Sequence, residues 1–542
     1  MKRAIVLLLC MTIGMGMLQG CGNKKQAAEN NASVSGTAGA AAETGKEEAS
    51  GADANVNAEG FPIVKEPITL TVYGARDQNQ AAWDEVLVLQ KYEEMSNIHM
   101  DYQEVPQDGF EENKQLLFAS NELPDVFLRA GLTNNQISMY GVTSGQLMPL
   151  DDLLESCAPN LAALFEEHPA LRQSCLASDG HIYALPRVDL AMSGVMDFKQ
   201  WINKVWLDKL GKEMPSTLEE FKEVLIAFRD GDPNGNGEQD EIPLGIREPG
   251  SIYALGGSFG LQFQLRDTYE LDDNGNLHNW LCDDKFRDYL TWLNELYEEK
   301  LLWQDYYKND RPAWRSNLAG EKFGAMYMPY SDVFLNCEKD YTGYEPLLGP
   351  SGEKYWPDAM TGAQTGCFAL SNTCANPEAA MRWVDYFFSE EGSEFFAFGI
   401  EGETYTIDED GIPRYNDEIL HAEEGFMTAQ GKINLVPGNG FPYLKTQRTA
   451  SVVGSSYTED VAACLVDYLP EVFYMKPAVQ PEDMDRVVAI EQDLVTYRDE
   501  SVTKFIIGEW DFGMWDEYCR TLEQIGIREL EEIYRRALAV LQ

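Results

Sequence analysis

Positive charge is scarce in this 542-residue chain. Lys and Arg together number 42 against 90 Asp and Glu, a formal net charge of -48 at pH 7. Such a polyanion is repelled by nucleic-acid phosphates and by anionic lipid, which excludes general DNA or RNA binding. Histidine is scarcer still, with five: His99, His168, His181, His278 and His421. None stands three or four residues from another, so no H-E-x-x-H metal site exists. The Walker A loop and C-x-x-C are both missing, which removes the phosphate cradle, the redox dithiol and the zinc ribbon. Beyond the first twenty residues no apolar run approaches eighteen, so no later membrane span is expected.

What the chain does have is core material. Hydrophobic residues make up 44% and aromatic residues 11%, enough for two or more folded lobes. The start is a separate matter. Lys2 and Arg3 precede an apolar run, Ala4 to Leu18, that is too short for a membrane span. It ends Leu18-Gln19-Gly20-Cys21, which resembles the bacterial lipobox L-x-G-C. That resemblance implies an export signal over 1–20, cleavage before Cys21, and acylation (palmitate) of its thiol; the alternative is a plain signal peptide with a chance Cys. Residues 21–60 are rich in Ala, Gly, Asn, Glu and Ser and have no aromatic residue, so they read as a disordered tether. Eight further cysteines remain: Cys157, Cys175, Cys282, Cys337, Cys367, Cys374, Cys464 and Cys519. Local pairing of Cys367 with Cys374 and unpaired buried thiols are both open.

From Phe61 the pattern is α/β. Ile68, Leu70 and Val72 alternate with Thr69, Thr71 and Tyr73 as a half-buried strand. Ala82, Val86, Leu89 and Tyr92 form a helical stripe, Ile98, Met100 and Tyr102 alternate again, a helix is expected over Phe110–Ser120, and Pro124–Leu128 reads as a short buried strand. Strand and helix in alternation argue for an open, parallel sheet. Ligands of such sheets gather at the carboxyl ends of strands. Arg76 and Arg129 would stand there, unless they are only surface cations. Ser216-Thr217-Leu218-Glu219 has the form of a capping box with Ser216 as N-cap. Asn376-Pro377 opens a helix with the stripe Ala380, Trp383, Val384 and Phe387.

The sharpest chemical pattern runs from Asp232 to Glu241. Asp232, Asn234, Asn236, Glu238, Asp240 and Glu241 place oxygens at nearly every second position, with Gly237 sixth. Hard oxygen donors at that spacing can wrap one Ca²⁺, as the front half of an EF-hand loop does. Position 12 is Pro243 in place of Glu, and Ile242-Pro243-Leu244 looks extended, so the expectation is a structural calcium clip closed by Asp240 and Glu241. The alternative is a polar Asn-Gly turn without metal. Asp272–Asn276 and Asp408–Gly411 read as hairpin turns.

Several stretches in a fixed order resemble one family. They are Leu123-Pro124-Asp125-Val126, Met148-Pro149-Leu150-Asp151, Asp179-Gly180-His181-Ile182-Tyr183-Ala184-Leu185-Pro186, Trp201-Ile202-Asn203-Lys204, Trp206–Gly211, the Asp232–Glu241 loop, Gly320–Met326 and Phe505–Gly508. Together they resemble the family 1 extracellular solute-binding proteins of bacterial ABC importers, in a large lipoprotein branch similar to the alginate-binding proteins. The resemblance runs from about residue 61 to the C-terminus, with an insertion near 400–460.

The resemblance implies a periplasmic-binding-protein-like type II fold, two α/β lobes joined by a hinge with the ligand cleft between them. Lobe one would hold 61–187 plus 328–365, and lobe two 188–327 plus 366–542. It implies a receptor, not an enzyme, that takes a carbohydrate by lobe closure and passes it to ABC permease subunits. The receptor would be a monomer, lipid-anchored on the extracellular face of the cell membrane. The implied ligand positions are Arg76, Arg129, Arg187 and Asp189, with Trp303, Tyr330, Trp356 and Tyr443 as sugar-stacking rings or, failing that, core residues. The Arg residues could favour a uronate, or be tied up by carboxylates. A peptide or other small-solute receptor, a sensory accessory protein and a surface hydrolase are the competing readings.

Overall fold

The computed structural model describes residues 55–542 apart from 263–267, 273–274, 330–337, 410, 438–439, 454–455, 471–473 and 541–542. The signal, most of the tether, Cys21 and Tyr330 therefore lie outside the described residues. In chain order the strands are β1 (Ile68–Arg76), β2 (Ile98–Pro106), β3 (Val126–Leu128), β4 (Leu185–Asp189), β5 (Lys199–Asn203), β6 (Ile242–Ile246) and β7 (Tyr269–Leu271). They continue with β8 (Leu277–Asn279), β9 (Phe323–Met328), β10 (Tyr341–Thr342), β11 (Ala363–Leu370), β12 (Tyr405–Ile407), β13 (Pro413–Tyr415) and β14 (Leu444–Lys445).

Two sheets carry the fold. The first has the order β14-β4-β11-β3-β1-β2, and the second β10-β5-β9-β6. In the first, β1 is parallel to β2 and β3, β14 is parallel to β4, and β11 runs antiparallel between β3 and β4. Every strand of that sheet but β11 therefore points its carboxyl end to the same edge. The alternation in β1 explains how the sheet is covered. Leu70 and Val72 pack into one core while Tyr73 and Ala75 pack into another on the opposite face. Gly74 is required between them, because a Cβ there would lie 1.8 Å from the Leu128 carbonyl oxygen.

The helices follow their stripes. Phe110–Ser120 is a helix as expected. The capping box is shifted by one residue: Thr217 is the N-cap of Leu218–Asp230, accepting the Glu220 N–H at 3.1 Å, while Ser216 donates to the Glu220 carboxylate at 2.7 Å. The strands flanking the two Asp/Asn/Gly clusters pair antiparallel, β7 with β8 and β12 with β13; 273–274 and 410 lie outside the described residues. Cys367 and Cys374 are free thiols, as are the other five described cysteines.

The cores divide the chain differently from the expected boundaries. Tyr341, Tyr344, Leu347 and Trp356 belong to the core around the second sheet, and Phe368 through Leu444 belong to the core around the first. β10 pairs with β5, which holds the segment after β9 in lobe two. The stripe of the helix Pro377–Asp385 packs against lobe one, where the Asp385 carboxylate accepts the Leu161 N–H at 2.9 Å. The 400–460 segment is no mere insertion, since β14 is an edge strand of the first sheet. The C-terminal helices, including Pro481–Ile506 and Trp515–Ile525, complete lobe two through Leu494, Phe505 and Trp515.

Candidate functional site

The chain passes between the lobes three times, and the three passages lie side by side. Asp189 N–H donates to Gly362 O at 2.7 Å, Leu190 N–H to Lys445 O at 2.8 Å, and Met360 N–H to Val195 O at 2.8 Å. The carboxyl ends of β4 and β14 and the start of β11 meet here. Arg187, Asp189, Gln364, Lys445, Met360 and the buried Lys199 line a hollow of about 230 Å³. A second hollow of about 230 Å³ shares Met360 and is lined by Asn134, Gln173 and Thr365 from lobe one and Lys476 from lobe two. A larger hollow of about 520 Å³ lies at the outer β2 edge of lobe one, remote from these crossings.

The charges at this edge are already matched. Lys445 Nζ stands 2.8 Å from Asp189 Oδ2, and Arg187 Nη2 is 3.7 Å from the same oxygen. The Arg187 guanidinium also lies over the Tyr443 ring, 5.6 Å from its centroid. Arg76, at the end of β1, pairs with Glu104 at 3.2 Å. Lys199 is 1% exposed and donates to the carbonyls of Ser193 (2.8 Å), Met196 (2.8 Å) and Asp197 (3.1 Å). Asp358, also buried, accepts the Phe198 N–H at 2.6 Å. Desolvation pulls the Lys199 ammonium down and pushes the Asp358 carboxyl up.

Four of the expected contacts fall elsewhere. Arg129 is 3% exposed, and its Nη1 donates to Leu435 O (2.6 Å) and Pro437 O (3.1 Å), so it staples a loop at the β3 end. Burial pushes its guanidinium down to about 10. Trp303 packs against Trp314 and Phe323 in lobe two. Trp356 stacks on Tyr327, 6.2 Å between centroids, and is 1% exposed. Tyr443 is equally buried and serves to hold Arg187. Aromatic count cannot separate a core ring from a stacking platform, because both need the same side chain. Lys199, Asp358, Gln364 and Lys445 were missed by sequence reasoning. Lys199 did carry a signal, a lone charge between Phe198 and Trp201-Ile202, since a buried lysine needs partners. Asp358 and Gln364 carry none.

The Asp232–Glu241 loop folds around its own oxygens. Asp232 has φ +46° and Gly235 and Gly237 have φ +77° and +78°. The Asp232 carboxylate accepts N–H from Gly235 (3.0 Å) and Gly237 (3.1 Å), Asn234 Oδ1 accepts from Asn236 (3.0 Å), and Asn236 Oδ1 accepts from Glu238 (2.7 Å). Asn234 and Asn236 converge on Asp240 Oδ1 at 3.3 and 2.9 Å, and Lys322 pairs with Asp240 Oδ2 at 2.7 Å. Glu238 is exposed and takes part through its backbone N–H. Glu241 places both carboxylate oxygens out of water without a hydrogen-bond partner, and burial, with Asp240 and Asp232 nearby, pushes its carboxyl up. A buried, unpartnered carboxylate beside two more acids is what a divalent cation would relieve, so these residues fit one.

The family described as bacterial extracellular solute-binding protein matches residues 75–394 of this chain. The fructooligosaccharide ABC transporter substrate-binding protein FusA of Streptococcus pneumoniae is 26% identical over 516 residues, covering 89% of this chain and 92% of FusA. A solved FusA structure, described as an EF-hand mutant in complex with fructo-nystose, superposes with a TM-score of 0.68 at 24% identity, covering 86% of this chain and 98% of that one. An HMO-binding, ABC-transporter-associated protein of Bifidobacterium longum infantis superposes with a TM-score of 0.74 at 21% identity, covering 88% and 99%. The alginate-binding protein AlgQ2, described as without calcium ion, superposes with a TM-score of 0.66 at 22% identity, covering 88% and 98%. The shared architecture is the type II periplasmic-binding-protein-like fold, which bears out the expected fold class. No helix among the described residues is long and apolar enough to cross a membrane.

The placement of Trp303 is directly testable. As a core ring, Trp303→Ala should lower unfolding free energy by ~3–5 kcal/mol in urea titrations. A loss below ~1 kcal/mol, the scale of surface substitutions, would return Trp303 to the surface.

Proposed function

Because this chain belongs to the bacterial extracellular solute-binding protein family, whose members are binding proteins and not enzymes, we propose that it is a lipid-anchored receptor for a neutral oligosaccharide. It captures the sugar by lobe closure, acts as a monomer, and delivers its solute to the permease subunits of an ABC importer. The relatives named for fructooligosaccharide and HMO binding support a carbohydrate. The observation that carries the neutral preference is the charge pairing along the carboxyl edge of the first sheet. Asp189 answers both Lys445 and Arg187, Glu104 answers Arg76, and carbonyls hold Lys199. A uronate would have to displace those partners and approach a chain of charge -48. Neutral hydroxyls instead find donors and acceptors already oriented, in Asp189, Gln364, Asn134 and Gln173. Arg187 and Asp189 remain in this proposed site; Arg76 lines a separate hollow with Gln78 and Gln107, and Arg129, Trp303, Trp356 and Tyr443 are buried away from the solute.

In the same reading, Asp232, Asn234, Asn236, Asp240 and Glu241 hold a structural Ca²⁺. The loop joins the helix Leu218–Asp230 to β6, so the ion would fix where β6 begins beside β9. Cys21 is the acylated anchor, and residues up to about 60 tether the receptor to the extracellular face of the membrane.

Isothermal titration and small-angle scattering of the chain from residue 22 onward test the receptor. Neutral oligosaccharides should bind saturably, be recovered intact, and shrink the radius of gyration at one chain per particle. Asp189→Asn and Gln364→Ala should each weaken binding by ~1–3 kcal/mol. Tighter binding of uronate oligosaccharides, a response to peptides alone, or cleaved sugar would overturn the reading.

Calcium should raise the melting temperature, with ~2.7 kcal/mol gained at a hundredfold excess over Kd, and Asp232→Ala with Asp240→Ala should abolish the gain. Glu241 must be ionised to bind, and its carboxyl titrates above the ordinary glutamate range. The calcium increment is therefore complete above that raised value and is lost as pH falls through it. An equal increment in the double variant would refute the loop.

For the anchor, the parent chain expressed in a bacterial host should sediment with membranes and incorporate labelled palmitate. Cys21→Ser should appear in the medium. A parent chain released to the medium would refute lipidation.

A further inference from the structure

Lobe two gathers a second set of ligand-bearing side chains, away from both the lobe crossing and the oxygen loop. Glu270 stands on β7, His278 on β8, and Asp283 is the N-cap residue of the helix Asp284–Glu298. One ligand atom from each lies within 4.8 Å of the other two. His278 Nε2 is 2.8 Å from Asp283 Oδ2, and Glu270 Oε2 accepts the Gln262 N–H at 3.1 Å. All three residues are half-buried.

The scaffold under them is fixed. Tyr269, beside Glu270, is fully buried and donates its hydroxyl to Ile527 O at 2.7 Å. Asn279, beside His278, donates to Thr268 O at 2.8 Å across the hairpin and accepts the Leu281 N–H at 3.1 Å. Trp280 meets Phe286, on the helix that Asp283 begins, edge to face at 4.8 Å. The charge is unbalanced. Two carboxylates face one imidazole, so even a protonated His278 leaves the trio negative. Lys285 adds its field from farther away, with its ammonium held by Gly260 O at 3.3 Å.

We propose that Glu270, His278 and Asp283 bind a divalent first-row transition-metal ion of the Zn²⁺ type. An imidazole nitrogen with two carboxylates suits such an ion, whereas the all-oxygen set at Asp232–Glu241 suits a hard cation. Ligand atoms on a tetrahedral zinc at ~2.1 Å stand about 3.4 Å apart. The trio reaches that spacing by opening the His278–Asp283 hydrogen bond slightly and drawing Glu270 inward. Water fills the remaining position, and His278 binds as the neutral imidazole, releasing its proton if it carried one. The ion would lock the β7–β8 hairpin to the start of the helix Asp284–Glu298.

One alternative donor is close by. The thiols of Cys282 and Cys519 hydrogen-bond to each other and feel the Asp283 charge. The test therefore uses the full mature chain without a polyhistidine tag, in a Cys282→Ser/Cys519→Ser background, with excess Ca²⁺ present to fill the oxygen loop. Titration with Zn²⁺ against a chromophoric chelator should find one equivalent. His278→Gln and Asp283→Asn should each weaken it by more than about tenfold, while Asp232→Ala should leave it unchanged. A second measurement needs no ligand substitution. Zn²⁺ should slow diethyl pyrocarbonate modification of His278, read by peptide mass, by about tenfold or more. No Zn²⁺ equivalent in the serine background, an unchanged titration in His278→Gln, or unchanged labelling of His278 would each overturn the site.

Discussion

Everything in this molecule hangs on three strands of backbone that must leave one hydrophobic core and enter another without stranding their polar groups. The crossings solve this together. Asp189 with Gly362, Leu190 with Lys445, and Met360 with Val195 exchange backbone hydrogen bonds, so each passage is the partner of another. The Lys199 ammonium gathers the carbonyls of Ser193, Met196 and Asp197 on one side of the crossing, and Asp358 caps the Phe198 N–H on the other. Buried charges are poor stabilisers in themselves, but removing one partner leaves the rest uncompensated. Their value here is register. Gly362 shows how tight that register is, with φ +75° and an added Cβ 2.3 Å from Asp189 O. A hinge of this kind bends through a few torsions while its two cores stay packed, which is the motion a closing receptor needs.

Local chemistry was legible in the sequence, and long-range placement was not. The strand at Ile68–Tyr73 and the helix Phe110–Ser120 depend on residues within a few positions of one another, and both form, although the strand expected to be half-buried is covered on both faces. The N-cap slipped from Ser216 to Thr217 because both hydroxyls precede an acidic residue, and backbone geometry alone chooses between them. The lobe boundary failed for a different reason. The stripe Ala380, Trp383, Val384 and Phe387 can serve either core, and nothing near it in sequence says which. Lys445 and Gln364 were unreadable because their importance comes from β4, which lies far away in the chain and beside them in the sheet.

The acidic character of the chain shapes the charge pairing at the carboxyl edge of its first sheet. Arg76, Arg187 and Lys445 stand at the carboxyl edge of the first sheet, and each arrives with a carboxylate beside it. Paired charges keep their geometry without a ligand, so little reorganisation is needed when a hydroxyl displaces water among them. A free guanidinium would hold a carboxylate more strongly, but it would also have to be desolvated on closure. On the proposed reading of a neutral solute, the pre-paired arrangement would give orientation and selectivity, and the affinity would come from the surface that the second lobe brings on closure.

The proposed closure would deliver that surface only if each lobe moves as a body. Lobe one has a six-stranded sheet with cores on both faces. The main sheet of lobe two has four strands, one of them two residues long, and depends on the helices wrapped around it. Its weak points are where helix and strand join. The oxygen loop closes the junction between the helix Leu218–Asp230 and β6, and it reaches β9 through Lys322. The Glu270–His278–Asp283 cluster closes the junction between the β7–β8 hairpin and the helix Asp284–Glu298, which packs in turn on Pro481–Ile506. Two cations of different chemistry at these two joints would stiffen the smaller lobe without adding a residue to its core. Ligand type keeps them apart, because an imidazole serves a hard cation poorly and an all-oxygen loop offers a softer ion no nitrogen. On that proposal the thinner lobe would swing on the hinge as rigidly as the thicker one.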